Sequence, residues 1–188
     1  VDVFSGQSYS NQLAGEDPAD GPCGLALDAT NHLYVNNYHR NVVKFNASPS
    51  FGAGTIFPLP VEDTEHHLPT GVAVDPTSGN VYVDNRTYIS VYDSAGNPVL
   101  DGSEPLRIGL GTLGDGYGVA ISQFPGTLGR LYVPDAATNT VVAGSREELA
   151  GAVGLRGSGR SFATPEERAR ISVTKAIRTA IKLIAKHS

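Results

Sequence analysis

The chain has 188 residues, of which 40% are hydrophobic and 18% charged, and it contains 22 Gly, 12 Pro and a single Cys. The lone Cys23 excludes an internal disulfide, and no apolar run approaches the roughly 20 residues that a membrane-spanning helix requires. The net charge of −5 divides unevenly, because residues 1–144 carry −10 and residues 145–188 carry +5. Acidic units bind nucleic acid poorly, so nucleic-acid binding is not expected before residue 145.

One segment occurs three times in altered form. The copies read GPCGLALDATNHLYVNNYHRNVVKFN, LPTGVAVDPTSGNVYVDNRTYISVYDSAGNPV and DGYGVAISQFPGTLGRLYVPDAATNTVVAG. Their matching glycines, Gly24, Gly71 and Gly118, are each 47 residues apart. A fixed period of this length indicates repeated supersecondary units that pack on one another.

Each copy predicts up to four short β-strands. An apolar alternation follows the glycine, a polar turn leads to a Leu/Val-Tyr-Val segment, and a third apolar run comes next. β-Branched and aromatic residues bounded by Gly, Pro, Asn and Asp are typical of strands and turns. Weaker fourth strands are predicted at 55–57 and 106–108, in the first two copies.

Polar residues at the strand ends are predicted to build the turns. Asn37, Asn85 and Asp135 each lie two residues after a Tyr-Val pair, and Asp28 and Asp75 end the first strands of their copies. Such side chains hydrogen-bond the backbone of a turn and tolerate left-handed geometry. We therefore interpret them as structural rather than as ligands.

The pattern G-[LV]-A-[LV]-D…[LV]-Y-V-x-[ND]…V-x-[FY] resembles the NHL repeat of β-propellers, over about residues 21–144. The resemblance implies a mainly β fold in which residues 1–144 form a partial propeller of about three four-stranded blades. The opening Val1–Phe4 matches Val42–Phe45 and predicts the outer end of an earlier blade.

Three blades are fewer than the four to eight that usually close a propeller. The chain opens in mid-pattern without Met or a signal peptide. We therefore expect a fragment or a fusion of a larger protein, and homo-oligomers that close the ring are the alternative.

The β pattern stops after Val142, and a different kind of segment follows. Residues 145–163 predict a short helix, with Ser145 as N-cap and Glu148 three residues on, and then a Gly/Arg/Ser linker. Residues 164–188 predict an amphipathic helix with an apolar stripe. Its opposite face is basic and is a candidate surface for a partner or nucleic acid: Arg168, Lys175, Arg178, Lys182 and Lys186.

The tail, REELAGAVGL…ERARISVTKAIRTAIKLIAKHS, also resembles a C-terminal stretch of bacterial ATPase-like and regulatory proteins. Residues 154–161 approach a phosphate-binding loop, with Arg160 in place of its lysine. Such a loop follows a buried strand, whereas a predicted helix precedes this segment, so nucleotide binding is not favoured.

No catalytic constellation stands out, and no cofactor is implied apart from a conceivable divalent metal. The metal candidates are Asp63, His66 and His67, in the linker between the first two blades. The favoured function is a non-catalytic scaffold that binds a protein or a small polar ligand. A metal-dependent propeller lyase or lactonase is one alternative, and a regulatory piece that acts through the basic helix is another.

An extracellular or periplasmic setting suits the acidic, nearly cysteine-free propeller, whereas a cytoplasmic setting suits the tail.

Overall fold

The computed structural model describes residues 2–5, 7–12, 21–38, 41–47, 54–57 and 69–151. The chain begins with an antiparallel hairpin of β1 (Asp2–Ser5) and β2 (Ser8–Gln12), which form a two-stranded sheet of their own. The segment expected to complete an earlier blade thus pairs with the strand that follows it.

Three antiparallel sheets then follow in chain order, one for each sequence repeat. The first contains β3 (Pro22–Leu27), β4 (Leu33–Asn37), β5 (Asn41–Phe45) and β6 (Thr55–Phe57), paired in that order. The second contains β7 (Gly71–Val74), β8 (Val81–Asp84), β9 (Ile89–Tyr92) and β12 (Arg107–Ile108), and a small hairpin of β10 (Leu100–Asp101) and β11 (Glu104–Pro105) interrupts it. The third contains β13 (Ala120–Ile121), β14 (Leu131–Asp135) and β15 (Thr140–Gly144). The predicted fourth strands are confirmed as β6 and β12.

The first strands of the three sheets lie against one another at the repeated glycines. A Cβ on Gly24 would lie 3.3 Å from the Cα of Gly71, and a Cβ on Gly71 would lie 2.5 Å from the Cα of Gly118. Real Cβ atoms do not approach backbone to 2.5 Å, so the Gly71 position excludes every larger residue. The three sheets are therefore arranged as successive blades whose first strands adjoin.

Each blade has two faces, because strand side chains alternate. We call the face that carries the second-strand tyrosine (Tyr34, Tyr82 or Tyr132) the trailing face. The opposite face is the leading face. The trailing face of one blade packs on the leading face of the next, and these two packed junctions contain most of the described core.

The junction between the first and second blades is aromatic at its outer edge. Phe57 packs edge-on against Tyr34, with ring centroids 5.8 Å apart, and its ring lies 6.1 Å from that of Tyr92. Valines of the second blade complete this cluster: Val72, Val74, Val81 and Val83. The rings and valines are buried, which ties the two sheets together through apolar burial.

The junction between the second and third blades is aliphatic and includes a helix. Tyr82, Ile89 and Ile108 pack with Leu131 and Val133 of the third blade. Helix α1 (Arg146–Gly151) adds Leu149, which is buried in the same cluster. The packed unit therefore continues beyond residue 144, into the segment assigned by sequence to the tail.

The start of α1 has the predicted capping box. The Glu148 N–H donates to Ser145 Oγ at 3.1 Å, and the Ser145 N–H donates to Glu148 Oε2 at 3.0 Å. These two bonds satisfy two backbone N–H groups at the start of α1. The helix predicted over residues 164–188 lies outside the described residues.

We predict that Gly71→Val destabilises the chain by about 3 kcal/mol or more, because the new side chain must displace the backbone of Gly118 and Val119. Urea unfolding followed by circular dichroism measures the effect. Thr55→Val, at an exposed strand position, is the control and should change stability little. Equal unfolding midpoints for Gly71→Val and the wild type would contradict the close contact.

We predict that Leu149→Ala lowers the free energy of unfolding by about 3 kcal/mol, since it leaves a cavity between the second and third blades. Leu110→Ala, at an exposed leucine, is the matched control. Two truncations isolate α1: a chain that lacks residues 145–188 should have a lower melting temperature than one that lacks residues 152–188, because only the first loses Leu149. Equal melting temperatures for the two truncations would show that α1 does not support the core.

Candidate functional site

Most of the buried polar side chains among the described residues lie at one end of the blades. The first strand of each blade begins at this end and the second strand finishes there, because the two are antiparallel: Pro22 is opposite Asn37, and Gly71 is opposite Asp84. The turns from second to third strands lie here too. We call this surface the loop end.

Asn36 joins the first blade to the second at the loop end. Its buried Nδ2 donates to the backbone oxygen of Pro69 at 2.7 Å and to Cys23 Sγ at 3.0 Å. Cys23 Sγ in turn lies 3.5 Å from the same Pro69 oxygen. Partial burial raises the pKa of the Cys23 thiol, against the opposing effect of Asn36, which disfavours the thiolate.

Asp84 occupies the equivalent position between the second and third blades. Its Oδ2 accepts from the Gly118 N–H at 2.7 Å and from Thr70 Oγ1 at 3.0 Å, and its Oδ1 accepts from the Arg86 N–H at 2.9 Å. Burial raises the pKa of Asp84, and these hydrogen bonds offset only part of that increase. The carboxyl is thus a buried group that three donors hold in place.

The three predicted turn residues are buried at the same end. Asn37 Nδ2 donates to Asn41 Oδ1 at 2.8 Å, and Asn85 Nδ2 donates to Ser90 Oγ at 2.8 Å, so both connect second and third strands. Asp135 instead accepts backbone N–H groups of Gly114, Asp115 and Ala137. Burial tends to raise the pKa of Asp135, but these N–H groups outweigh it and the pKa is lowered.

Sequence reasoning selected the turn residues and missed their neighbours Asn36 and Asp84. A signal was present, since each lies two residues after a trailing-face tyrosine and therefore points toward the next blade. The turn residues follow one position later and point back into their own blade.

Arg86 lies at the loop end in a left-handed backbone conformation. Its backbone φ is +70°, which costs a residue with a Cβ about 1 kcal/mol or more. Its N–H is held by Asp84, and its carbonyl accepts from the Gly116 N–H at 2.6 Å. The Nε donates to Asp115 Oδ1 at 2.6 Å, and the guanidinium carbon lies 5.6 Å from the centroid of the Tyr117 ring.

This arrangement leaves a charged and aromatic surface facing solvent. Arg86 and Asp115 are partly exposed, and Tyr117 is largely exposed. The hydrogen bond to Asp115 is the main influence that raises the pKa of Arg86, and charge interactions with Tyr117 and with Tyr38 of the first blade act in the same direction. The printed contacts of Arg86 thus join the second blade to the segment that leads into the third.

Two other findings concern only the described part of the chain. It contains no group of three His, Cys, Asp or Glu side chains that could hold a metal ion. It contains no helix long and apolar enough to span a membrane. The metal candidates Asp63, His66 and His67 lie outside the described residues, as does the basic face formed by Arg168, Lys175, Arg178, Lys182 and Lys186, so both sets stay predictions.

No family model matches the chain, and no curated protein matches it. Several solved structures are similar to the chain. The virginiamycin B lyase of Staphylococcus aureus has a TM-score of 0.53 at 11% identity, over 77% of this chain and 47% of that one. A gluconolactonase from Xanthomonas campestris has a TM-score of 0.46 at 24% identity, over 61% and 34%. The WD40 domain of Neurospora crassa Pan2 has a TM-score of 0.44 at 14% identity, over 66% and 37%.

These likenesses concern the fold. The chain is mainly β and has a β-propeller-type fold, and it spans less than half the length of each of the three structures. The activities of those proteins are not carried over to this chain by the likeness.

We predict opposite pH dependences for two loop-end carboxyls. The lowered pKa of Asp135 adds stability that is present above about pH 4, the usual unfolded value, and is lost on acidification. The raised pKa of Asp84 adds stability that is present below about pH 4 and is lost as the pH rises through its folded value.

Urea unfolding from pH 3 to pH 7 tests both signs with the variants Asp135→Asn and Asp84→Asn. The stability difference between wild type and Asp135→Asn should grow as the pH rises. The difference between wild type and Asp84→Asn should shrink over the same range. Two differences that change in the same direction would contradict the opposed environments.

Proposed function

We propose that this chain is a non-catalytic, NHL-type propeller scaffold, part of a larger protein, which binds a protein or a small polar ligand at its loop end. The observation that carries the proposal is the strained Arg86. Its backbone N–H and its carbonyl are both hydrogen-bonded, and Asp115 orients its guanidinium beside the exposed Tyr117. Non-glycine residues held at positive φ cluster at sites where a side chain must be presented in a set direction.

The surroundings of Arg86 suit the binding of a ligand better than they suit catalysis. The elements that hold it are strand ends and short turns on a packed sheet frame, the arrangement that proteins use to present binding loops. Because these side chains are already held in place, less conformational entropy is lost when a ligand binds. The described loop end offers donors, acceptors and an aromatic face.

The chemistry of the site favours a ligand with a carboxylate or a peptide carbonyl beside an apolar group. The bond to Asp115 engages one of the five N–H donors of the guanidinium, and planar acceptors are the groups that arginine recognises best. The face of the Tyr117 ring can cover the apolar part of the same ligand. A peptide end with an aromatic or aliphatic side chain combines both features.

We predict that Arg86→Gly removes binding without loss of stability. Glycine adopts φ of +70° freely, so the substitution relieves strain while it deletes the guanidinium. The probe is N-acetyl-Gly-Leu, with its C-terminal amide as the matched ligand. NMR would follow the Arg86 Nε–H and the Gly118 N–H of the full chain during titration.

Saturable shifts at both groups with the carboxylate ligand, weaker shifts with the amide and no shift at Gly118 in Arg86→Gly are the expected results. The melting temperature of Arg86→Gly should equal or exceed that of the wild type. Unaltered spectra with both peptides would refute the proposed ligand chemistry. A melting temperature several degrees lower in Arg86→Gly would show that Arg86 is structural.

A further inference from the structure

The third sheet lacks the fourth strand that completes the other two. Within the described part of the chain, β15 pairs only with β14, whereas β5 and β9 each pair with a further strand on their outer side. Val42 and Ile89 lie opposite Phe57 and Ile108 of those outer strands and are 0% exposed. Val141, at the equivalent position of β15, is 63% exposed. The outer edge of β15 is therefore an open sheet edge.

The backbone groups of Val141 point toward this open edge. Its partner on β14 is Pro134, whose carbonyl accepts from the Tyr117 N–H at 3.1 Å, on the side of β14 away from β15. In an antiparallel ladder the N–H and C=O of one residue point to the same side, and successive residues alternate. Pro134 and Val141 thus form a pair without hydrogen bonds between them. The N–H and C=O of Val141, and those of Ala143 two residues on, face outward.

The chain leaves the third blade at the place where a fourth strand would begin. β15 ends at Gly144, at the end of the blade opposite the loop end. Leu149 of α1 packs beside that residue, since a Cβ on Gly144 would lie 2.9 Å from Leu149 Cγ. In the first blade, β6 starts at the same end, opposite Lys44, and runs to the loop end. The residues after Gly151 therefore begin beside the open edge of β15.

The sequence just after α1 has the spacing of a fourth strand. In the first two blades an apolar fourth-strand residue follows its third-strand partner by 15 residues (Phe57) and by 19 residues (Ile108). Leu155 follows the exposed third-strand valine by 14 residues. Val153 lies two residues before Leu155, as the buried Leu106 lies two residues before Ile108.

We propose that residues 153–155 form the fourth strand of the third blade, antiparallel to β15, with Leu155 opposite Val141. The pairing satisfies the outward N–H and C=O groups of β15 and removes an open edge, which is otherwise a site for pairing with other chains. It assigns to the sheet a short segment that composition alone places in the Gly/Arg/Ser linker.

The pairing also places Leu155 on the trailing face, because residues directly opposite each other in a sheet share a face. Leu155 then lies beside the ring of Tyr132, as Phe57 lies against Tyr34 in the first blade. This inference goes beyond the ligand site, since Arg86 lies at the loop end of the second blade and takes no part in the pairing.

Amide hydrogen exchange of the full chain, followed by NMR, tests the pairing. Leu155→Pro removes the N–H that would bond the Val141 carbonyl. Gly154→Pro is the matched control, because the N–H of the residue between two inward-pointing neighbours faces away from β15. The Val42 N–H, in the paired third strand of the first blade, is the internal reference for an intact sheet.

The Val141 and Ala143 N–H groups should exchange about tenfold more slowly, or slower still, in the wild type and in Gly154→Pro than in Leu155→Pro. Exchange at Val42 should be the same in all three proteins. The wild type should also show nuclear Overhauser effects between the Leu155 methyl groups and the Tyr132 ring.

Three results would overturn the inference. Unprotected exchange at Val141 in the wild type would mean that the edge of β15 stays open. Protection that Leu155→Pro leaves unchanged would mean that another segment, another protein or a second copy pairs there, and a dilution series would identify the second copy. If Leu155→Pro also lost protection at Val42, the wild-type spectra would decide, and the absence of any contact between Leu155 and Tyr132 would count against the pairing.

Discussion

Backbone contact between adjacent first strands is the constraint on which the rest of the structure depends. Gly24, Gly71 and Gly118 approach so closely that a side chain on Gly71 would overlap the backbone of Gly118 and Val119, just before β13. This spacing brings the trailing face of one blade against the leading face of the next, and it buries the rings of Tyr34 and Phe57. The apolar clusters are therefore a consequence of the glycine contacts as well as a source of stability.

Polar contacts fix how the blades meet at the loop end, and the two junctions do so with opposite chemistry. Asn36 donates to a carbonyl of the second blade, whereas Asp84 accepts from an N–H of the third. An amide and a carboxylate can occupy one structural position because each is matched to the backbone group that faces it. A buried group that lost its partner would carry its full desolvation cost, so these contacts specify register more than they add net stability.

Much of the fold was predictable from the sequence, because the 47-residue period, the strand patterns and the capping box at Ser145 depend on local chemistry. The features that were missed depend on tertiary contacts. Leu149 became a core residue because α1 folds back between two blades, and Asn36 and Asp84 became junction residues because another blade lies opposite them. Arginine does not itself favour the left-handed backbone of Arg86; the tight turn from Asn85 to Tyr88 and the hydrogen bonds to Asp84 and Gly116 hold it there.

Arg86 also links the candidate site to the packing of the blades. Its backbone is held by Asp84, which binds the Gly118 N–H, and Gly118 is the residue that contacts Gly71. The direction of the guanidinium therefore depends on the junction between the second and third blades. Closure of the arc by a further blade would act at the trailing face of the third blade, on the far side of that junction. The binding surface proposed around Arg86 therefore depends on the packing of the second blade against the third.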